Sequence, residues 1–290
     1  MKPANVLICL DLSAHDAGLV TYVAALSRRW DALERVILFH NIRYDFLVNE
    51  ALETSDYEKL KGAIAKEIGE NYRSQFTDAG CEVDVVVREE NNSSTAILSA
   101  RKEYAVDLLV MGRKKQTEGS GHLPFRVVNN DPDGTPLLLV PRKAKARWQH
   151  VVAGVDFTAA TKRTLRSAAA LQQLSPERLT FVHVYQVPNA YFPYLRGQDT
   201  EMEQRVRATA ERKFAGFRDE IDLSPIHHAE FRLTAGENIA ATLREYTAEQ
   251  DTDLLVIGRW GKENLLGNRV GDVTRKLMVG GGAQVPLLIV

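Results

Sequence analysis

The sequence predicts an α/β protein built from two tandem doubly wound parallel-sheet domains, residues 1–145 and 146–290. Three observations predict it. Four short motifs recur in the same order at a nearly constant offset. Within each copy, short runs of Val, Ile and Leu alternate with longer amphipathic stretches, the pattern of buried parallel strands and covering helices. The chain has 290 residues, 44% of them hydrophobic, which suffices for two ordinary cores.

"VLICLDLS" (Val6 to Ser13) matches "VVAGVDFT" (Val151 to Thr158), with Asp11 and Asp156 lying 145 residues apart. "VILFHNI" (Val36 to Ile42) pairs with "LTFVHVY" (Leu179 to Tyr185), with His40 and His183 143 apart. "DLLVMGR" (Asp107 to Arg113) pairs with "DLLVIGR" (Asp253 to Arg259), and "PLLLV" (Pro136 to Val140) with "PLLIV" (Pro286 to Val290). The join falls in the basic segment "PRKAKARWQH" (Pro141 to His150).

In the second copy the runs predict strands at Val151–Val155, Leu179–Val184, Ala229–Thr234, Leu254–Ile257 and Pro286–Val290. Helices are expected at about Ala160–Leu174, Thr200–Asp219, Asn238–Glu249 and Gly271–Met278. The first copy repeats this with a long helix at Asp56–Asp78 and a shorter one at Thr95–Tyr104, while "NNDPDG" reads as turn chemistry. Strand and helix in alternation give right-handed crossovers and parallel sheets. Ligands in such sheets bind beyond the carboxyl ends of the strands, at the switch point. That edge carries Asp11 or Asp156 and the loop after Gly112 or Gly258.

Composition removes several classes of function. Net charge is −1 with acids and bases interspersed, so no basic field points to nucleic acid. Cys9 and Cys81 are the only cysteines, which excludes a disulfide framework and a cysteine metal cluster and fits a reducing cytoplasm. The apolar run of "MKPANVLICLDLS" is too short for a signal segment, and no later stretch approaches a membrane span. The expectation is a soluble cytoplasmic protein with no membrane or nucleic-acid partner.

The stretch "GRWGKENLLGNRVGDVT" carries the chemistry. Gly258, Gly261 and Gly271 are spaced G-x2-G-x9-G, the last opening a helix that carries Val273 and Thr274. Glycines remove bulk where a phosphate approaches the backbone, and a helix N-terminus offers N–H groups and a positive dipole end. An ordinary strand-to-helix connection has the same look; its place in a repeated α/β domain favours the phosphate site.

With these motifs in view, both copies resemble the universal stress protein family: a strand ending in D-x-[ST], a strand ending in "HV", the "DLLVIG" strand, the glycine loop and the terminal "PLLIV" strand. The likeness covers nearly the whole chain twice, as in tandem members with Rossmann-like domains. It implies binding of ATP or a related adenine nucleotide in the second copy by Asp156, Val184, Ile257, Gly258, Gly261, Gly271, Asp272, Val273 and Thr274. It implies a role as a stress-response sensor or interaction module, binding rather than catalysing. It also implies that "PLLLV" and "PLLIV" pair between the domains, and leaves a homodimer open.

Two departures from the family pattern stand out. Asp272 replaces the Ser or Thr expected after the third glycine. At about 5 Å and an effective dielectric of about 20, it opposes each phosphate charge by roughly 3 kcal/mol. A shared Mg²⁺ reverses that sign, and a helix cap removes the carboxylate from the question. The first copy has Lys115 in place of the second glycine and no G-[ST]-V-[ST] helix start, although Arg113, Lys114 and Lys115 keep it basic. One nucleotide per chain is therefore expected.

Other groups weigh less. Asp11 and Asp156 have no recognisable His, Ser or Cys partner for catalysis. His227 and His228, adjacent in an extended segment, point to opposite faces and make a poor metal pair. His40 and His183 read as structural imidazoles near the ligand edge. "NAYFPYLRG" (Asn189 to Gly197) is an aromatic connection that serves as a lid or as a packing surface. The competing functions are a nucleotide-free association scaffold and a slow ATPase; the second lacks S-G-G-x-D-S and H-x-G-H signatures.

Overall fold

A computed structural model describes residues 3–43, 54–113, 122–172, 177–185, 199–219, 221–224, 226–236, 238–260, 270–279 and 285–290. The chain divides into two compact units, Lys2–Ala146 and Arg147–Val290.

The N-terminal unit contains strands β1 (Asn5–Leu10), β2 (Arg35–Ile42), β3 (Glu82–Glu89), β4 (Leu108–Arg113) and β5 (Leu137–Pro141). They are parallel and ordered β3-β2-β1-β4-β5. Its helices are α1 (Asp16–Ser27), α2 (Thr54–Tyr72), α3 (Ser93–Glu103) and α4 (His122–Asn130). The C-terminal unit contains β6 (His150–Gly154), β7 (Arg178–Tyr185), β8 (His228–Ala235), β9 (Leu254–Ile257) and β10 (Leu287–Ile289). These are parallel in the order β8-β7-β6-β9-β10, with helices α5 (Ala159–Gln172), α6 (Asp199–Arg218), α7 (Ile239–Glu249) and α8 (Asp272–Val279).

The sequence signature of the central strands has a direct cause. Val6, Leu7 and Ile8 are all fully buried, as are Val151, Val152 and Ala153. Such strands are covered on both faces and read as unbroken apolar runs. The order reverses at β1 and β4 in one unit and at β6 and β9 in the other, which places a crevice beyond the carboxyl ends of those strands.

The two units repeat down to single hydrogen bonds. Asp107 Oδ2 accepts the backbone N–H groups of Ala4 at 2.9 Å and Asn5 at 3.0 Å. Asp253 Oδ2 does the same for Gln149 at 3.0 Å and His150 at 3.1 Å. The aspartate of each "DLLV" motif thus ties the start of one strand to its neighbour. Asn92 and Asn238 cap α3 and α7 from the same extended backbone conformation, each side chain accepting an N–H from the first turn.

Two local readings of the sequence need correction. The stretch expected as one helix over Asp56–Asp78 is α2 followed by a 3₁₀ segment, Arg73–Ala79, which ends at Gly80 with φ of 65°. A tightened last turn before a left-handed residue is a common way to close a helix. The "NNDPDG" stretch is only partly a turn. Asn129 and Asn130 complete α4, and the turn falls on the next four residues, with Gly134 at φ of 73°. Pro124 lies in the first turn of α4, where its missing N–H costs nothing. Buried Asp131 then holds the turn, accepting the N–H groups of Asp133 at 3.2 Å and Thr135 at 2.6 Å.

Candidate functional site

A cavity of about 460 Å³ opens at the switch point of the C-terminal unit, within the size range of small-molecule sites. One wall begins where β6 ends. Asp156 follows the strand, and Phe157 after it adopts a left-handed φ of 59°, a strained conformation for a bulky residue. This sharp turn is held by the Asp156 carboxylate. Its Oδ1 accepts from Thr158 N at 3.0 Å, Thr158 Oγ1 at 2.7 Å and Thr161 Oγ1 at 2.8 Å. Among the described residues, Oδ2 takes no hydrogen bond, so the carboxylate keeps an acceptor for a ligand.

The floor is apolar. Val184 from β7, Ile257 from β9, and Ile239 and Leu243 from α7 line it. His183 also lines it, and its Nδ1 lies 2.7 Å from the Val155 carbonyl. A carbonyl only accepts, so Nδ1 carries the hydrogen and Nε2 of the neutral ring is an acceptor. The Phe157 ring stands 4.6 Å from the same imidazole, centroid to centroid.

The far wall comes from the residues just after β9 and from the start of α8. Gly258 shows no left-handed φ, so its backbone does not require glycine, but the space beside it is tight. A Cβ there would stand 3.1 Å from Thr164 Oγ1 and 3.5 Å from the Ala160 Cβ. Gly271 precedes α8, donating its N–H to Arg259 O and accepting that of Arg275, both at 2.9 Å. The first-turn N–H groups of Asp272, Val273 and Thr274 have no intrahelical acceptor. The Thr274 hydroxyl is already committed, donating to Gly258 O at 2.8 Å.

Asp272 lies at the cavity rim, but its carboxylate is drawn along its own helix. Arg275 Nη2 lies 2.9 Å from one oxygen and Lys276 Nζ 2.6 Å from the other. Hydrogen bonds from Lys276 and then Arg275 hold its carboxyl below the ordinary range. It neither caps α8 through its side chain nor stands as an unpaired charge facing the cavity.

Of the nine residues nominated from the sequence, Asp156, Val184, Ile257, Gly258, Gly271, Asp272, Val273 and Thr274 all border this one cavity. Gly261 lies outside the described residues, as do Lys114, Lys115 and the Asn189–Gly197 aromatic cluster. Sequence reasoning missed Thr158, Thr161 and Thr164, which line the wall along the start of α5, and Trp260. A signal existed: "DFTAATKRT" spaces its threonines three apart directly after the aspartate, which gathers them on one face of a helix.

The corresponding edge of the N-terminal unit is built differently. Leu12 repeats the φ of 59° seen at Phe157, and His40 Nδ1 reaches Leu10 O at 3.0 Å as His183 reaches Val155 O. In place of Thr161 stands Asp16, buried at 4% exposure, whose carboxylate accepts the N–H groups of Asp11 at 3.1 Å and Leu12 at 2.7 Å. Burial raises its carboxyl to about 6, with the nearby Asp11 charge adding to the rise. Burial, with Asp16 next to it, also pushes the Cys9 thiol far up, so this half-buried cysteine stays neutral. Among the described residues no group of three or more His, Cys, Asp or Glu side chains is placed to hold a metal ion. No described helix is long and apolar enough to cross a membrane.

The family model that matches the chain is described as "Universal stress protein family" and covers residues 4–128 and 147–290. A crystal structure of a universal stress protein from Archaeoglobus fulgidus is similar over 100% of this chain and 96% of its own, with 14% identity and a TM-score of 0.67. A functionally unknown protein from Pseudomonas aeruginosa is similar over 99% of this chain and 92% of its own, with 12% identity and a TM-score of 0.60. At these identities the likeness establishes the fold. No curated protein matches the sequence.

Proposed function

The chain belongs to the universal stress protein family and carries its domain twice, and from that premise we propose that the C-terminal unit binds ATP or a related adenine nucleotide. Binding serves a sensor or interaction role in the stress response, without turnover. The observation that carries this reading is the convergence of eight residues nominated by sequence on one cavity at the switch point. In the proposed pose the heterocycle packs between Val184, Ile257 and Leu243. Asp156 Oδ2 accepts from a ribose hydroxyl or the exocyclic amine. The phosphates approach the backbone at Gly258 and lean on the N–H groups that open α8. Thr274 contributes its N–H, because its hydroxyl proton is spent on Gly258 O.

The residues fit a nucleotide better than they fit a protein-held Mg²⁺. Both Asp272 oxygens are engaged by cations, and Asp156 Oδ1 takes three hydrogen bonds. No step is assigned to a metal. The described lining contains no lysine or arginine, so the affinity for added phosphate rests on backbone dipoles alone.

The test is calorimetric titration of the full chain with adenosine, AMP, ADP and ATP, each with and without Mg²⁺, followed by a product assay. Saturable binding of one adenine ligand per chain without product supports the reading. No heat at millimolar ligand overturns it in favour of an association scaffold, and product release favours the slow ATPase. The cytoplasmic setting belongs to the same proposal; neither cysteine forms a disulfide, which is compatible with it. The family resemblance further supports pairing of the two copies through "PLLLV" and "PLLIV" and association into a homodimer. Sedimentation showing a single species at 32.4 kDa would remove the homodimer.

A further inference from the structure

Gly112, the next-to-last residue of β4, is the counterpart of Gly258, and it too lacks a left-handed φ, so its backbone does not require glycine. What requires it is a side chain. A Cβ on Gly112 would stand 2.9 Å from His15 Nδ1, closer than real contacts allow, and 3.1 Å from its Cε1. His15 lies 145 residues before Ala160, the residue that faces Gly258 and lines the cavity of the C-terminal unit. The His15 side chain belongs to a residue only 3% exposed, and Leu19, the counterpart of Thr164, is 1% exposed. Where one unit leaves room beside a glycine, the other fills it with an imidazole.

We infer that His15 is a built-in plug: its imidazole occupies, beside Gly112, the space that Ala160 leaves open to a ligand beside Gly258. The residue four places after the strand-end aspartate then decides which copy can accept a ligand, and the N-terminal unit holds a latent site for a small planar nitrogen heterocycle. The placement of the ring follows from the fold. His15 is the N-cap residue of α1 with helical φ and ψ of −78° and −27°, so its Cβ direction is fixed by the helix it begins. A ring of imidazole size is what its removal would leave room for, since packed surroundings collapse only partly around such a void.

The experiment removes the ring and returns it as a free molecule. In the full chain, His15→Ala is expected to lower the thermal midpoint by roughly 5 °C. Free imidazole, titrated into the variant, is expected to raise the midpoint saturably and recover roughly half of the loss, with no saturable rise in the unsubstituted chain. His15→Ser removes the same ring but leaves a hydroxyl there, and this second variant keeps the test decisive if the alanine variant fails to fold. An absent response, or the same response in variant and parent, overturns the plug. The reciprocal change, Ala160→His, rests on the proposed nucleotide site: it should weaken adenine-nucleotide binding at least about 100-fold while leaving the circular dichroism spectrum intact. If the parent chain binds no nucleotide, that arm fails with the proposed function, and the imidazole titration still decides the status of His15.

Discussion

Leu12 and Phe157 occupy equivalent turns with the same φ of 59°, yet the side chains that follow them give those turns opposite uses. After Phe157 come Thr158, Ala160, Thr161 and Thr164: small or hydroxylated groups that hold the Asp156 carboxylate and leave a cavity. After Leu12 come His15, Asp16 and Leu19, all buried, which fill the equivalent space and place a second carboxylate where a threonine hydroxyl would be. The backbone of this fold therefore supplies the site twice, and a handful of side chains at the start of one helix determines whether it stays open. Loss of the glycine motif in the first copy is only one part of that difference.

The largest effect is expected at Gly258. Gly258→Val would drive two methyl groups toward Thr164 and Ala160, where even a Cβ is tight at 3.1 Å. Adenine-nucleotide affinity should fall by at least about 100-fold by calorimetry, with modest loss of stability; unchanged affinity would show that the ligand sits elsewhere. At the equivalent carboxylate of the other unit, the readout is stability. The Asp16 carboxyl titrates near 6 in the folded chain against 3.8 in the unfolded chain. Across that window the folded state keeps a proton that the unfolded state has released, so stability falls as pH rises, and the cost is complete above pH 6. Asp16→Asn should gain up to about 3 kcal/mol over the parent at pH 7.5 and close to nothing at pH 3.5, by urea denaturation. A difference that does not grow with pH would mean that Asp16 is satisfied as an anion.

Smaller effects sharpen the picture. Asp156→Ala removes both the turn acceptor and the proposed ligand acceptor, and should cost about 2 kcal/mol of binding, some 30-fold in Kd. If Kd is unchanged while stability drops, the aspartate only shapes the turn. Asp272→Ser should shift Kd by less than about threefold, because Arg275 and Lys276 already balance the carboxylate at the exposed start of α8. A tenfold tightening would place the unbalanced charge against the phosphates.

Much of this was legible in the sequence because it depends on periodicity. The repeats located the strand ends, buried strands announced themselves as unbroken apolar runs, and two glycines after "DLLVI", Gly258 and Gly271, fell on the cavity. Helix α4 was not legible: "GSG" ahead of His122, Pro124 and the closing pair Asn129–Asn130 are residue types that favour turns, so the short stretch between them reads as loop. Nor was the role of His15. In a one-dimensional reading a histidine at the start of a helix is a surface or capping residue, and nothing local says that it points at a glycine 97 positions away.

The sequence by itself determined that there are two copies of one parallel α/β domain, where the carboxyl ends of their strands lie, and which copy keeps the glycine spacing, because strand burial and turn chemistry are local properties of residue type. Only the tertiary structure decided the fate of Asp272 and the contrast between His15 and Ala160. Those depend on distances between residues far apart in the chain and on one to two ångströms of space beside a glycine, which no pattern of residue types encodes.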